Sequence, residues 1–341
     1  METFLTLDQL EDRLSEPTPG LLATLRGLHG GIAVLGAGGK MGPTLARMAR
    51  RALDQLGRRD PVFGVARFST GNVPAQLRQH GVEPITCDLL DRDAVRELPD
   101  APNIIFMVGQ KFGTSEGPEL TWAVNTLIPA NVAERYRRSR IAVFSTGCVY
   151  PLSPVANGGA REEDQLGPPG DYANSCVGRE RIFTFFSRQN GTRVALVRLN
   201  YAIDLRYGVL LDVAQNVWRG EPVEVTMGYA NVIWQRDANA RAIQCLAHAA
   251  SLPFPINVTG MERVSIRALA QRFGELFDRP ARITGQEAPT AWLSNASRAH
   301  ELFGPPSIGV DQLVVWTADW IRRGGATLDK PTHFEVRDGK F

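Results

Sequence analysis

The stretch IAVLGAGGKMG, residues 32–42, is the part of the chain from which the fold can be predicted. Its first four residues are apolar, which is typical of a buried strand in a parallel sheet. Gly36, Gly39 and Gly42 follow, and a helical pattern begins at Pro43. At this spacing the first glycine permits a tight turn, the second lets the backbone approach a pyrophosphate, and the third lets the helix pack closely on the strand. The stretch therefore predicts a dinucleotide-binding loop, with a helix N-terminus facing the phosphates.

Strand and helix patterns alternate through the first two hundred residues. Apolar runs that fit buried strands lie at 62–65, around 85, and at 103–108, 141–144 and 193–199, and helical patterns lie at 43–56, 120–138 and 172–188. Parallel strands need helical crossovers, and this spacing provides them. We therefore predict an α/β fold, with a Rossmann-type doubly wound parallel sheet and a smaller C-terminal substrate lobe.

The domain boundaries follow from changes in this pattern. Residues 1–29 are predicted to be an N-terminal helical extension, with a break between helices at Pro17-Thr18-Pro19-Gly20. Residues 30–200 form the predicted dinucleotide-binding domain, and residues 201–325 a smaller substrate-binding lobe interleaved with it. Residues 326–341 are a polar C-terminal tail, with Phe334 and Phe341, whose docking position the sequence leaves open.

Composition narrows the class of protein. The net charge is only +2 over 341 residues, so a nucleic-acid partner is not expected. The four cysteines and five histidines form no CxxC or HExxH motif, so neither a zinc site nor a dithiol redox site is expected. The chain begins without a basic segment followed by an apolar run, and it has no apolar stretch of about 20 residues. We therefore expect a cytoplasmic protein without a membrane partner.

The end of the second predicted strand bears on the choice of cofactor. A carboxylate there binds the ribose 2′-hydroxyl of NAD, whereas arginine favours the 2′-phosphate of NADP. The chain has Arg67 at this point and no carboxylate, and Lys40 in the glycine loop is a candidate to assist. The prediction is NADP or NAD, with NADP slightly favoured. The alternative is that Arg67 is a solvated loop residue.

In this order the motifs resemble those of the extended short-chain dehydrogenases/reductases, the group that includes NAD(P)-dependent sugar epimerases and dehydratases. The resemblance covers roughly residues 30–320. The segment at 87–91 resembles the family's aspartate segment beside the adenine, and the segment at 103–110 resembles the fourth strand and its turn along the cofactor. The cofactor-binding residues that the loop and the resemblance imply are Gly36, Gly39, Lys40, Met41, Gly42, Arg67, Asp88, Leu89, Val108, Gly109, Lys111 and Tyr172.

The resemblance also implies a catalytic set. Asn125 matches the family's active-site asparagine, and Thr146 stands at the position of its catalytic serine or threonine. Tyr172 begins the segment that corresponds to the family's Tyr-x-x-x-Lys motif, but the lysine position is occupied by Cys176. With no histidine nearby in the sequence to activate it, Cys176 is interpreted as a packed thiol rather than a nucleophile.

The departure at Cys176 matters because a lysine four residues after the tyrosine would share its helix face. In the family that lysine stabilises the phenolate and holds the nicotinamide ribose. An unperturbed tyrosine has a pKa near 10 and is almost entirely protonated at neutral pH. The chain is rich in arginine and has only four lysines, yet exchange of lysine for arginine would have kept a cation at this position. The preference for arginine over lysine in this chain therefore does not explain the cysteine at position 176.

Three explanations remain open at this point. Another cation takes over, with Lys111 as the first candidate and Arg179 as the second, for which solvent exposure is an equal expectation. Alternatively, Tyr172 acts only as a neutral acid or hydrogen-bond donor, which a ketone reduction tolerates. In the third explanation catalysis has been lost.

The resemblance implies an NAD(P)-dependent oxidoreductase or epimerase that transforms a sugar or nucleotide sugar by hydride transfer. Tyr172 is the predicted acid/base, Thr146 binds the reacting oxygen, and Asn125 and Lys111 complete the catalytic set. An acidic pair beside the threonine is absent, so dehydration is the less expected reaction. The alternative is a catalytically degenerate NAD(P)-binding regulatory or scaffold protein. A homodimer is expected through the helix that carries Tyr172, whose apolar stretch includes Phe183 and Phe185.

Overall fold

The computed structural model describes residues 4, 6–69 and 71–340; Phe341, named above as part of the tail, lies outside the described residues. The strands are β1 Ile32–Leu35, β2 Val62–Ala66, β3 Glu83–Thr86, β4 Asn103–Phe106, β5 Arg140–Thr146, β6 Ser153–Pro154, β7 Arg193–Leu199, β8 Ala202–Ile203, β9 Pro222–Glu224, β10 Tyr229–Ala230, β11 Ile233–Trp234, β12 Phe254–Val258, β13 Val264–Ser265, β14 Arg282–Thr284 and β15 Thr290–Ala291. The helices are α1 Leu7–Leu14, α2 Pro19–Arg26, α3 Gly42–Gln55, α4 Val73–Gln79, α5 Arg92–Arg96, α6 Pro118–Trp122, α7 Ile128–Arg135, α8 Asp171–Asn190, α9 Val209–Arg219, α10 Gln235–Gln244, α11 Ile266–Phe277, α12 Ser297–Phe303 and α13 Val310–Arg322.

Seven strands form a parallel sheet in the order β3-β2-β1-β4-β5-β7-β12. The chain starts in the middle of the sheet at β1, builds one half outward to β3, then returns to β4 and builds the other half. This order confirms the predicted Rossmann-type α/β fold. All four residues of β1 are fully buried, as a continuous apolar run between two neighbouring strands requires.

Helices cover both faces of this sheet. On one face α2, α3 and α10 contribute apolar side chains such as Leu45, Leu53 and Ile243 to a shared cluster. On the other face α7 and α8 contribute Val132 and Phe183, and the Phe183 ring meets Phe106 of β4 edge to face at 5.2 Å between centroids. The carboxyl ends of the strands are left uncovered by these helices, which is where ligands bind in open α/β sheets.

The N-terminal segment contains two short helices that pack on the domain. Thr18 begins α2 by accepting a hydrogen bond from Leu21 N at 3.1 Å, and Pro19 occupies its first turn. The predicted break at residues 17–20 is thus the capping segment of α2. Arg236 of α10 donates to the Glu16 carbonyl at 3.0 Å, so the connection between α1 and α2 is held against the lobe.

The segment at 201–325 is interleaved with the sheet domain. It supplies β12 to the edge of the central sheet and α10 to one of its faces, while α9, α11 and α13 pack around a separate core. The tail docks on this lobe, with Phe334 only 6% exposed and the Val336 carbonyl accepting from Trp292 Nε1 at 2.9 Å. Among the described residues no helix is both long enough and apolar enough to cross a membrane.

Candidate active site

The glycine loop joins β1 to α3 at the carboxyl edge of the sheet. Gly36 has a φ of +96°, a region that favours glycine, and a Cβ atom there would lie 3.1 Å from the backbone of Val108. A Cβ atom on Gly42 would lie 2.6 Å from Ala37 Cα, so a larger residue would push the helix away from the loop. No side chain caps the start of α3, where Met41 is the N-cap residue. Gly42 N donates to the Gly39 carbonyl at 3.2 Å and Pro43 has no N–H, so the attraction of this helix end for an anion comes from the helix dipole. These features fit the pyrophosphate of a dinucleotide.

Two clefts meet at this loop. The first has a volume of about 350 Å³ and the second about 240 Å³, and both are bordered by Gly36, Gly39 and Gly109. Of the predicted site residues, the first cleft is lined by Gly36, Gly39, Lys40, Met41, Gly42, Gly109, Lys111, Thr146 and Tyr172. The second is lined by Gly36, Gly39, Arg67, Asp88, Leu89, Val108 and Gly109. The structure thus brings every predicted site residue to one of the two clefts, except Asn125, which lies behind them.

The second cleft contains the residues predicted to meet the adenosine. Arg67 is exposed at the end of β2, and Asp88 accepts a hydrogen bond from Leu90 N at 3.0 Å. Lys40 is directed elsewhere: its Nζ donates to the Ala202 carbonyl at 3.0 Å and lies 4.0 Å from the centroid of the Tyr207 ring. The expectation that Lys40 assists Arg67 is therefore corrected, because the extended chain of Lys40 points into the first cleft. Burial in this position lowers the pKa of Lys40 to about 8.

Asn125 lies in a π-helical turn, Ala123–Leu127, between α6 and α7. The sequence predicted one helix across 120–138, and the structure divides it at this turn, a feature frequent at functional sites. The Asn125 side chain donates to the Gln110 carbonyl at 3.0 Å and to Ser175 Oγ at 2.8 Å, and its Oδ1 accepts from Gln110 N at 3.1 Å. Asn125 therefore ties the turn after β4 to α8.

Tyr172 lies in the first turn of α8 and lines the first cleft. Thr146, at the end of β5, lines the same cleft. Burial raises the pKa of Tyr172 well above its ordinary value, whereas the Arg179 charge opposes this rise. Tyr172 is thus a neutral phenol at pH 7.

Cys176 occupies the next turn of α8 and has no exposed surface. It packs in a small cluster with Val149, Tyr150 and Ala160. Burial raises the pKa of its thiol. A protonated, enclosed thiol agrees with the interpretation of Cys176 as a packing residue.

Lys111 lines the first cleft from the turn after β4. Its Nζ lies 6.0 Å from the centroid of the Tyr172 ring and donates to the Thr332 carbonyl of the tail at 2.8 Å. Burial lowers the pKa of Lys111. Thr332 is itself held by Asp212 of α9, which accepts from Thr332 N at 2.9 Å. The tail therefore forms part of the cleft wall, which no sequence motif indicated.

Arg179 is buried, with 5% of its surface exposed, so the expectation of solvent exposure is wrong. Its Nη1 donates to the Phe144 carbonyl at 2.8 Å, and its Nη2 donates to Asn125 Oδ1. Residue 179 follows Tyr172 by seven positions, which is two helical turns, so the spacing was the sequence signal for this location. The sequence also did not single out Asn200, Tyr201 and Tyr207, which line the first cleft.

Comparison with solved structures shows the same fold. UDP-glucose 4-epimerase from Thermotoga maritima, solved with UDP-glucose, matches with a TM-score of 0.69 and 15% identity, over 86% of this chain and 99% of that one. UDP-glucose 4-epimerase from Thermus thermophilus, solved with NAD, matches with a TM-score of 0.67 and 19% identity, over 86% of this chain and 99% of that one. The Bordetella bronchiseptica enzyme WbmG, solved with NAD, matches with a TM-score of 0.69 and 17% identity, over 90% of this chain and 98% of that one.

Sequence comparison addresses the family directly. No curated protein matches the chain. The model of the NAD dependent epimerase/dehydratase family matches residues 32–203, which run from β1 through β8 and include the glycine loop, Thr146 and Tyr172. The chain belongs to the NAD dependent epimerase/dehydratase family.

Proposed function

We propose that the protein is an NAD(P)-dependent oxidoreductase or epimerase of a sugar or nucleotide sugar, in which Tyr172 exchanges a proton with the reacting oxygen. One observation carries the proposal: Tyr172 and Thr146 both line the cleft that begins at the glycine loop. An acid/base group and a hydroxyl that fixes the substrate oxygen therefore lie beside the predicted cofactor site.

A nicotinamide dinucleotide fits the residues present. The loop at Gly36 and Gly42 leaves no space for side chains, and the positive end of the α3 dipole would face the pyrophosphate. Asp88 and Leu89 border the second cleft, where the adenosine half would be held. When bound, the nicotinamide ring supplies hydride transfer. The protein's part is to orient the substrate and to move the proton.

The state of Tyr172 favours one direction of proton transfer. Because burial keeps the phenol protonated, Tyr172 is ready to donate to the oxygen of a carbonyl substrate, while Thr146 holds that oxygen. In the opposite direction Tyr172 must first lose its proton, which requires a nearby positive charge. A slow oxidation relative to reduction is therefore part of this proposal.

The substrate class is supported by the chemistry of the first cleft. Its lobe side presents the phenols of Tyr201 and Tyr207 and the amide of Asn200, groups that can hydrogen-bond a polyhydroxylated ligand. The structurally similar Thermotoga maritima enzyme was solved with UDP-glucose. A sugar or nucleotide sugar is accordingly the proposed substrate.

Arg67 supports NADP as the slightly favoured cofactor, since it is exposed at the second cleft with no carboxylate beside it on β2. The first experiment is to release any nucleotide from the purified protein, identify it, and measure the affinities for NAD⁺ and NADP⁺ by calorimetry. Tyr172→Phe should then abolish turnover in a screen of nucleotide sugars while leaving the nucleotide affinity nearly intact. Turnover that survives in Tyr172→Phe would contradict the role given to Tyr172.

A non-catalytic nucleotide-binding protein is the second candidate function, and the observation that favours it is the buried Cys176 at the lysine position. This alternative predicts nucleotide binding without turnover of any sugar substrate. Detectable exchange of hydride between NAD(P)H and a carbonyl sugar, lost in Tyr172→Phe, would exclude it.

A homodimer through α6 and α8 is also proposed. Large apolar side chains are exposed on these helices and on the turn between α6 and α7, with Phe185 at 59%, Leu127 at 57% and Leu120 at 50%. Clustered exposed apolar groups mark interaction surfaces. Light scattering should give the mass of two chains, and Phe185→Glu should shift it to one chain.

A further inference from the structure

Removal of the proton from Tyr172, which oxidation of a substrate needs, requires a positive charge near the phenol, and the family's usual source is absent at Cys176. The charged and titratable groups around Tyr172 are Cys176 and Arg179 from α8, Cys148 from the turn after β5, Lys111 from the turn after β4 and Tyr201 from the lobe side, with Asp212 and Glu335 beyond Lys111. Two of these groups, Lys111 and Arg179, are cations.

Arg179 carries a charge that the structure does not neutralise. Its guanidinium donates to the Phe144 carbonyl and to Asn125 Oδ1, which are both neutral acceptors. The carboxylate of the adjacent Glu180 is instead paired with Arg198, with 2.8 Å between Glu180 Oε2 and Arg198 Nη2. Across residues 6–69 and 71–340, Arg179 forms no ion pair with an aspartate or glutamate. An unpaired buried cation is costly to fold, and it stabilises any anion that forms nearby.

The guanidinium also lies against the predicted cofactor site. A Cβ atom on Gly109 would lie 2.7 Å from Arg179 Nη2, so the absence of a side chain at this turn is what admits the arginine. Gly109 borders both clefts. From the helix that carries Tyr172, Arg179 therefore reaches the Gly109 turn and Asn125. Asn125 in turn donates to Ser175 Oγ, which donates to the Tyr172 carbonyl at 2.7 Å.

We infer that Arg179 takes over the electrostatic and positioning work of the missing lysine, holding Asn125 and the Gly109 turn and stabilising the ionised form of Tyr172. This inference rests on the proposed function. Arg179 acts as a positioning residue, since it reaches the reacting groups through Asn125 and through its charge.

Lys111 is the weaker source of this charge. Its Nζ is held by the Thr332 carbonyl and lies near the carboxylates of Asp212 and Glu335, which counter its field. Burial lowers the pKa of Lys111, whereas a guanidinium remains protonated in proteins. Among the charges acting on Tyr172, that of Arg179 lowers its pKa.

The test measures the titration of Tyr172 itself. The protein is produced with 3-fluorotyrosine at its six tyrosines, which lowers the phenol pKa toward the range where the fold is stable, and the ¹⁹F resonance of Tyr172 is assigned by its loss in Tyr172→Phe. The wild type is compared with Arg179→Gln, Arg179→Lys and Lys111→Gln, with and without NAD⁺. Arg179→Gln should raise the midpoint by about one pH unit, and Arg179→Lys should raise it by less than half of that.

A further variant covers the case in which Arg179→Gln does not fold. The double variant Cys176→Lys with Arg179→Gln returns a cation to this helix face and should titrate within about 0.5 unit of the wild type. The inference is overturned if Arg179→Gln leaves the midpoint unchanged, if Lys111→Gln raises it instead, or if the double variant stays a full unit above the wild type.

Failure of this inference is distinguishable from failure of the proposed function. If neither NAD⁺ nor NADP⁺ binds the wild type in calorimetry, the proposed function fails whatever the titration shows. If nucleotide binds and Tyr172→Phe loses turnover, but the titration midpoint of Tyr172 is the same in Arg179→Gln as in the wild type, only the assignment of Arg179 fails.

Discussion

Gly109→Ala tests how tightly the turn after β4 is fitted to Arg179. The new Cβ atom would lie 2.7 Å from Arg179 Nη2 and 3.5 Å from Asn125 Oδ1. The φ of Gly109 is outside the left-handed region, so alanine brings no backbone strain. The end of a long side chain moves more easily than the backbone, and we expect the guanidinium to leave Asn125. Losing a hydrogen bond to a charged group costs about 1.5–3 kcal/mol.

The assay is urea denaturation of a double-mutant cycle. Gly109→Ala should lower the free energy of unfolding by about 1.5–3 kcal/mol in the wild type. It should have little effect in an Arg179→Ala background, where the space is already open. Gly167→Ala is the matched control, because Gly167 is exposed and a Cβ atom there meets nothing within 4 Å. Equal losses in both backgrounds would refute the reasoning, since the cost would then not arise from Arg179.

Three further predictions follow from single side chains. Arg67→Ala should weaken NADP⁺ binding roughly 10- to 100-fold and NAD⁺ binding much less, and equal losses in calorimetry would exclude Arg67 as the group that reads the 2′-phosphate. Glu180→Gln should cost about 3–5 kcal/mol in urea denaturation because it leaves Arg198 buried without its carboxylate. Glu134→Gln, at an exposed ion pair, should cost far less, and comparable losses would contradict the importance of burial. The pKa of Lys40 is about 8 in the folded protein against 10.5 in the unfolded chain, so the unfolded chain binds more protons between these pH values. The free energy of unfolding, measured relative to that of Lys40→Met, should therefore rise between about pH 8 and pH 10.5. A difference that does not change with pH would show that the Lys40 ammonium is not desolvated.

The sheet domain was predictable because its signals are local. The apolar run before the glycine loop and those at β4, β5 and β7 are short, continuous and regularly spaced, and each became a buried strand. The glycine spacing likewise predicted the loop, since turning and close packing are backbone requirements that only glycine meets at Gly36 and Gly42. The family resemblance also named Thr146 and Tyr172, and the two residues line one cleft.

The features of the candidate site that the sequence did not predict depend on contacts between distant segments of the chain. Nothing local to Asn125 indicates a π-helical turn, which is held by contacts with Gln110 and Ser175. The direction of the Lys40 side chain is set by the Ala202 carbonyl, 162 residues further along the chain. The sequence offered Arg179 as the second candidate cation, but it did not show whether the side chain is buried or exposed to solvent. Helical spacing places Arg179 on the same face as Tyr172, but its burial also depends on the open space at Gly109, which lies on a distant turn.

The tail gives the two clefts different origins along the chain. The residues that line the second cleft all lie between 36 and 128, whereas the wall of the first is completed by Thr332. During synthesis, the contact between Lys111 and Thr332 therefore has to wait for 221 more residues. If the second cleft holds the adenosine, as proposed above, its residues are all encoded in the early part of the chain, whereas Thr332 joins the wall of the first cleft much later. Truncation before Thr332 is therefore expected to keep every residue of the second cleft and to remove part of the wall of the first, which it would do without removing the glycine loop that borders both.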